Sequence, residues 1–341
     1  METNVLEALI LIFAAAVMNA TYTLPMKLNR KWRWEHSWCA FSVLGVAVVP
    51  TIISIATVPQ LWSIYPSISA GTLLAMALFG VGWGVSLVFF GLSLPLVGVA
   101  VTFTVTLSTS AASGALLPLL TQHPERLFTT QGLVLLGGIL LIVFGVTFCG
   151  RAGLERERLA GNQEERKKSG FVRGFLYSII SGVLGSLLNL GLAYGGAIQQ
   201  LARDHGASDT MVSNAIWLPC VYAGFIPGVI YCVYLMRKNT AVKEFLRNAE
   251  WYYWLMGALM GLLWYGSVLL YSFSAMRLGD IGTAIGWPLF LSSIVVMSTV
   301  VGLFTGEWKP TLHGPFRTLL VGLFFLLAAI AVLSEASRMT A

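Results

Sequence analysis

Residues 77–102 read ALFGVGWGVSLVFFGLSLPLVGVAVT, and residues 258–283 read ALMGLLWYGSVLLYSFSAMRLGDIGT. At an offset of 181 positions they agree at eight of 26 places: Ala77/Ala258, Leu78/Leu259, Gly80/Gly261, Trp83/Trp264, Ser86/Ser267, Ser93/Ser274, Gly98/Gly279 and Thr102/Thr283. Apolar composition alone explains the Ala and Leu matches. Paired Gly, Trp, Ser and Thr at one fixed offset point instead to an internal repeat. Earlier in each half, Asn19 and Asn189 occupy comparable positions at a different offset, which a difference in loop length explains.

The chain around these stretches is of the same character. It is 57% hydrophobic and 11% charged, where a globular chain carries about 25% charged residues. An ordinary soluble protein is excluded. The net charge of +6 does not describe a nucleic-acid surface either, because a basic groove needs dense Lys and Arg facing water. Crossing about 30 Å of hydrocarbon takes roughly 20 apolar residues in a helix. Ten stretches qualify: 5–26, 37–59, 70–94, 96–121, 129–150, 171–198, 211–236, 251–276, 279–304 and 315–335. The fourth and ninth follow their predecessors so closely that each is expected to form a tight helical hairpin. No Lys or Arg precedes the first, whereas a cleavable signal peptide carries a basic region there, so a retained first helix is expected.

Charge gathers between the spans. Of 36 charged residues, 22 lie in Lys27 to Glu35, Arg151 to Arg173 and Arg237 to Glu250. Connections after odd-numbered spans hold 17 Lys and Arg, and the other side holds Arg126, Arg203, Arg277 and Arg338. The positive-inside rule puts the odd loops in the cytoplasm and both termini outside. The polar stretch RAGLERERLAGNQEERKKSG, 151–170, divides five spans from five. A first five-helix repeat over 1–150, a charged cytoplasmic linker over 151–170 and a second five-helix repeat over 171–341 follow. With five spans per repeat, equivalent helices cross in opposite directions. The expected fold is an all-α integral membrane protein of ten transmembrane helices in two inverted five-helix repeats, an architecture suited to alternating access.

No Asp, Glu, Lys, Arg or His falls in the middle of any span, so the path is expected to be lined by uncharged polar groups. Asn19, Tyr22 and Thr23 share one face of the first helix, and Ser186 and Asn189 one face of the sixth. Gly80, Trp83, Gly84 and Leu87 group in the third, beside Ser86; Gly261, Trp264, Gly266, Ser267 and Tyr271 group in the eighth. The fourth carries Thr102, Thr104, Thr106, Ser108 and Thr109, and the ninth Thr283, Trp287, Ser292 and Ser293. Hydroxyls and amides interleaved with flat aromatic faces suit a neutral polyhydroxylated ligand such as a sugar. Small residues and hydroxyls also serve helix packing, and Gly80 with Gly84 is a small-xxx-small pattern. The substrate-binding candidates are therefore Asn19, Tyr22, Trp83, Ser86, Thr102, Thr106, Asn189, Trp264, Ser267, Tyr271, Thr283 and Trp287. Tryptophans near 32–38, 251–254 and 308 are expected as interface anchors.

A titratable group for proton coupling must come from the span ends, where Asp280, Glu7 and Glu35 are the candidates. A competing role for Asp280 is a helix cap paired with Arg277, and for Glu7 and Glu35 a solvated interface position. Cys39, Cys149, Cys220 and Cys232 lack metal-ligand spacing and read as small apolar residues; no metal or cofactor is expected. The absence of a Walker motif or a sizeable soluble domain argues against an ATP-driven pump. An intramembrane protease needs a second mid-membrane Asp or a His or Lys partner for serine, and the sequence has neither, so no enzyme is expected. A channel is disfavoured because no charged filter is evident and the repeat favours a carrier.

Particular motifs sharpen this. Tyr22-x-x-Pro25-x-Lys27 running into Lys31-Trp32-x-Trp34-Glu35-x-x-Trp38, Phe79-Gly80-x-x-Trp83-Gly84, Arg151-Ala152-Gly153 before the charged stretch and Gly306-Glu307-Trp308 resemble the L-rhamnose–proton symporter family. That family belongs to the drug/metabolite transporter superfamily. The resemblance runs over nearly the whole chain. It implies a carrier in the bacterial cytoplasmic (inner) membrane, embedded in lipid, that imports a deoxyhexose together with a proton. Enterobacterial members carry an acidic residue early in the ninth helix, and the matching position here is Thr283. A carrier or uniporter for a different small neutral metabolite is the alternative.

Overall fold

The structure is a computed structural model that describes residues 2–159, 168–247, 249–304 and 314–339. Among these residues it is helical throughout, without a strand. Hydrocarbon offers backbone groups no hydrogen bonds, and a helix satisfies its own. Among the described residues ten helices are long and apolar enough to cross a membrane: Val5–Leu28, Trp34–Thr57, Ala70–Val97, Val99–Gln122, Thr130–Arg156, Gly170–Tyr194, Asn214–Lys238, Trp251–Arg277, Gly282–Phe304 and Gly314–Arg338. All ten expected spans are present with shifts of a few residues. Of the expected linker, 160–167 lies outside the described residues, as do Gly306, Glu307, Trp308 and Lys309.

Several spans are less regular than periodicity predicts. The first ends in a 3-10 turn, Leu24–Leu28, with Pro25 in its first turn. The second contains a π-helical stretch, Ser42–Val48. The sixth, expected to run unbroken over 171–198, is interrupted at Ser186 and ends at Tyr194. A separate amphipathic helix, Gly196–Asp204, follows it.

The chain packs as two compact units, each drawing helices from both halves of the sequence. The first comprises Met1–Val17, Phe89–Ser186 and Ser274–Ala341, and the second Met18–Val88 and Leu187–Phe273. The first, third, sixth and eighth spans pass from one unit to the other along their length. In the second unit Trp217, Tyr253, Tyr265 and Tyr271 are among the largest fully buried side chains. Each of three such groups has a polar partner: Trp217 Nε1 donates to Ser272 Oγ at 2.9 Å, Tyr265 to Asn214 Oδ1 at 2.6 Å, and Tyr271 to Asn189 Oδ1. Asn214 in turn donates to Thr57 Oγ1 at 2.8 Å. In the first unit the fifth and tenth spans form a close apolar pair, in which Phe148 stacks on Phe325 at 5.7 Å.

Two of the pairs matched at the 181-residue offset share local geometry. Gly98 and Gly279 both have φ of 86°, a left-handed backbone that favours glycine; one such residue separates the third span from the fourth, and the other lies between the eighth and ninth. These are the tight hairpins expected at those places. Ser86 donates to the Trp83 carbonyl at 2.6 Å, and Ser267 to the Trp264 carbonyl at 2.6 Å.

Gly80 and Gly84 lie against the backbone carbonyls of Cys220 and Gly224, and Gly45 and Gly261 meet backbone to backbone. Small residues serve close helix approach here. A Cβ at Gly261 would fall on the Gly45 Cα, so Gly261→Ala forces two backbones apart at about 1–3 kcal/mol. Gly137, with open space at its Cβ position, provides the control. In thermal unfolding of the purified protein, Gly261→Ala lowers the midpoint by several degrees, and Gly137→Ala leaves it unchanged or raises it.

Candidate substrate site

Eight of the twelve substrate-binding candidates fall in the second unit: Asn19, Tyr22, Trp83, Ser86, Asn189, Trp264, Ser267 and Tyr271. Most of them form one connected group. The Asn19 side-chain amide donates to Ser267 Oγ at 3.0 Å, and Ser267 donates on to the Trp264 carbonyl. Trp264 stacks on Trp83 with ring centroids 5.2 Å apart and planes 16° from parallel. Phe41 stands edge-on to Trp264 at 6.1 Å and touches Tyr22 at 5.6 Å. Trp264, Ser267 and Tyr271 lie three and four residues apart on one face of the eighth span, so the Tyr271–Asn189 bond continues the same polar stripe.

The tryptophans thus face each other, and the stack covers one face of each ring. Trp264 is buried, whereas Asn19, Tyr22 and Trp83 are half-buried and form the accessible part of the group. Asn19 spends one amide hydrogen on Ser267. Its carbonyl oxygen has no partner among the described residues. An unengaged amide carbonyl and a half-open indole in one connected group offer a hydrogen-bond acceptor and an apolar plate, the two features that a sugar ring engages.

The remaining four candidates lie in the first unit, where three of them bond within the protein. Ser93 Oγ bonds Thr102 Oγ1 at 2.6 Å and Ser178 Oγ at 2.7 Å, and Thr106 donates to the Ser178 carbonyl at 3.2 Å. Trp287 Nε1 donates to the Ser110 carbonyl at 3.0 Å, with its ring seated on Gly114. Thr283 is half-buried near the start of the ninth span.

The three coupling carboxylates sit in different settings. Glu7 pairs with Arg277, so Arg277 is not the partner of Asp280 that its spacing had led us to expect. Asp280 precedes the ninth helix, which begins at Gly282, and its exposed carboxylate lies 3.9 Å from Arg126. Glu35, expected to be solvated, is instead 6% exposed and accepts a 2.9 Å hydrogen bond from Asn239 Nδ2. It is the one carboxylate of the three withdrawn from water.

Its burial belongs to a clamp that periodicity did not reveal. Residues 31–36 dock on the loop between the seventh and eighth spans. Lys31 Nζ meets Glu250 at 2.9 Å, and Arg33 binds both Glu244 oxygens at 2.9 and 3.0 Å. Glu250 raises the Lys31 pKa through this hydrogen bond. His36 accepts from the Arg33 backbone N–H at Nδ1, which leaves Nε2 to donate to the Ala241 carbonyl at 3.0 Å. Trp32, expected as an interface anchor, is buried among Phe245, Tyr253 and Trp254. The clustering of Lys31, Arg33, Glu244 and Glu250 in two polar loops was the available signal, and opposite charge was its content.

The profile of the family described as L-rhamnose-proton symport protein (RhaT) matches residues 1–337. The chain belongs to this family. It is a multi-pass membrane transporter, not an enzyme. The L-rhamnose-proton symporter of Yersinia pestis (strain Pestoides F) is 25% identical over 336 residues, covering 96% of this chain and 97% of the relative. That of Shigella sonnei (strain Ss046) is 26% identical over 324 residues, covering 92% and 93%. A crystal structure, described only as that of a protein, superposes with a TM-score of 0.58 at 16% identity over 97% of each chain; it shares the fold.

Buried polar pairs in such a chain are testable through stability. Tyr271→Phe removes the hydroxyl that Asn189 accepts from and costs about 1–3 kcal/mol. If the pair acts as a unit, the losses of thermal midpoint in Tyr271→Phe and Asn189→Leu are less than additive in the double variant.

Proposed function

We propose that this transporter imports a monosaccharide, L-rhamnose or a related deoxyhexose, by proton symport with alternating access. Membership of the symporter family over 337 residues carries the reading. The half-open group around Asn19 and Trp83 supports it, since these side chains are uncharged and combine amide and aromatic surfaces. In this reading Asn19, Tyr22, Trp83, Ser86, Asn189, Trp264, Ser267 and Tyr271 bind or shape the sugar site. Thr102, Thr106, Thr283 and Trp287 act from the fourth and ninth spans. The proton is carried by one of Asp280, Glu7 and Glu35, of which Glu35 is best sheltered from water.

The fold we propose is that of the drug/metabolite transporter superfamily: two inverted five-helix repeats, 1–150 and 171–341, joined by a charged cytoplasmic linker. Both termini lie outside the bacterial inner membrane. The shared φ of Gly98 and Gly279 and the matching Ser86 and Ser267 bonds support the repeat. The distribution of Lys and Arg supports the orientation. Inverted repeats can exchange conformations and so open one site to either side in turn. A second reading, a carrier or uniporter for another small neutral metabolite, is favoured by Thr283, an uncharged residue at the place where the family resemblance implies an acid.

Thermal stabilisation across deoxyhexoses, hexoses, pentoses and small cations distinguishes the two, because a ligand of the folded state raises its stability by mass action. We expect L-rhamnose to shift the wild-type midpoint most, and Asn19→Ala and Trp83→Ala to insert normally but lose that shift and uptake. A larger shift from a chemically different ligand replaces rhamnose with that ligand. Wild-type uptake by both variants removes Asn19 and Trp83 from the site.

A further inference from the structure

The loop clamped by Lys31 and Arg33 leaves an unusual surface on its other side. Both of its carboxylates, Glu244 and Glu250, are taken by those two cations. Arg237, Lys238, Lys243 and Arg247 are all exposed and have no ion-pair partner among the described residues. The helix Val242–Arg247 explains the separation. Glu244 and Phe245 turn toward Arg33 and Trp32, and at helical spacing this leaves Val242, Lys243, Leu246 and Arg247 on the outward side. Leu246 is 72% exposed, and Trp251, just beyond the loop, 76%.

Lys238 ends one spanning helix and Trp251 begins the next, so the loop lies at the membrane surface. Exposed Leu and Trp are unfavourable in water, but at the headgroup boundary they enter the acyl region while neighbouring cations reach phosphate. Four cations with no free carboxylate among them favour a net negative headgroup over a zwitterionic one. We propose that this face is a binding site for anionic phospholipid: Arg237, Lys238, Lys243 and Arg247 hold the headgroup phosphate, and Leu246 and Trp251 anchor beside its acyl chains. The clamp has a part in this, because by sequestering Glu244 and Glu250 it strips the loop of competing negative charge.

The test uses the full-length protein purified in neutral detergent, with phosphatidylglycerol or phosphatidylcholine added and bound lipid counted by native mass spectrometry. Wild type is expected to prefer phosphatidylglycerol, and raising the salt concentration to erode that preference. Replacing all four cations with Gln lowers the preference by roughly tenfold or more. Leu246→Ser weakens retention of both lipids. Arg33→Ala, which touches none of the four cations, also lowers the preference by releasing Glu244. Equal retention of the two lipids by wild type, or an undiminished preference in the quadruple variant, overturns the proposal. Water-soluble glycerol phosphate competing as well as the lipid overturns it too, since the site would then read a phosphate and not a membrane lipid. The salt arm needs no variant, so a folding defect in the quadruple variant leaves the proposal open to refutation.

Discussion

A side-chain amide or hydroxyl placed in hydrocarbon has no water to bond with, so leaving it unpaired is costly; the Ser108 and Ser293 hydroxyls are exceptions, and most of the others pair. That constraint organises the interior. Asn189 takes the Tyr271 hydroxyl, Asn214 takes that of Tyr265 and gives to Thr57, and Ser272 takes the Trp217 indole. Each such bond contributes on the order of 1 kcal/mol in a membrane interior. The larger effect is the penalty avoided, because the same groups left unpaired would oppose insertion. Against this background Asn19 is distinctive: one amide N–H is spent on Ser267, and its carbonyl oxygen bonds no group among the described residues.

Charge obeys the same constraint from outside. Lys31, Arg33, Glu244 and Glu250 lie beyond the span ends, where water screens them, and join two loops that sequence separates by some two hundred residues. Surface ion pairs contribute little individually. Here they combine with the buried Trp32 and with a neutral His36 whose two ring nitrogens are both engaged. Protonation of His36 would put a second N–H against the Arg33 backbone N–H, so the clamp holds the ring in one tautomer.

Periodicity and hydropathy were sufficient for the ten spans, because twenty-residue apolar stretches have no other use in so charge-poor a chain. The 181-residue offset brought out positions of like geometry: Gly98 and Gly279 share a φ of 86°, and Ser86 and Ser267 each bond back to their own helix. Asn19, Trp83, Trp264 and Ser267 were each candidates from their positions on three different helices, and the hydrogen bond and ring stack that join them are visible only in three dimensions. What one-dimensional spacing could not supply was pairing between distant elements. Trp83 and Trp264 were separate binding candidates, and they stack on each other. Arg277 was matched to Asp280 three residues away, while its partner Glu7 stands in another helix. Glu35 looked solvated because it follows a basic run, and the run itself folds over a second loop and buries it. Phe41 joins the aromatic group with no sequence signal beyond its size.

The central claim is that a site without buried ion pairs moves a neutral sugar at the expense of a proton gradient. It is tested most directly in proteoliposomes that contain only this protein. With an acid exterior, labelled L-rhamnose should accumulate inside above its external concentration, the interior should acidify as sugar enters, and a protonophore should abolish the accumulation. Equilibration of rhamnose to equal concentrations on both sides, unaffected by the pH gradient or by the protonophore, would contradict proton symport.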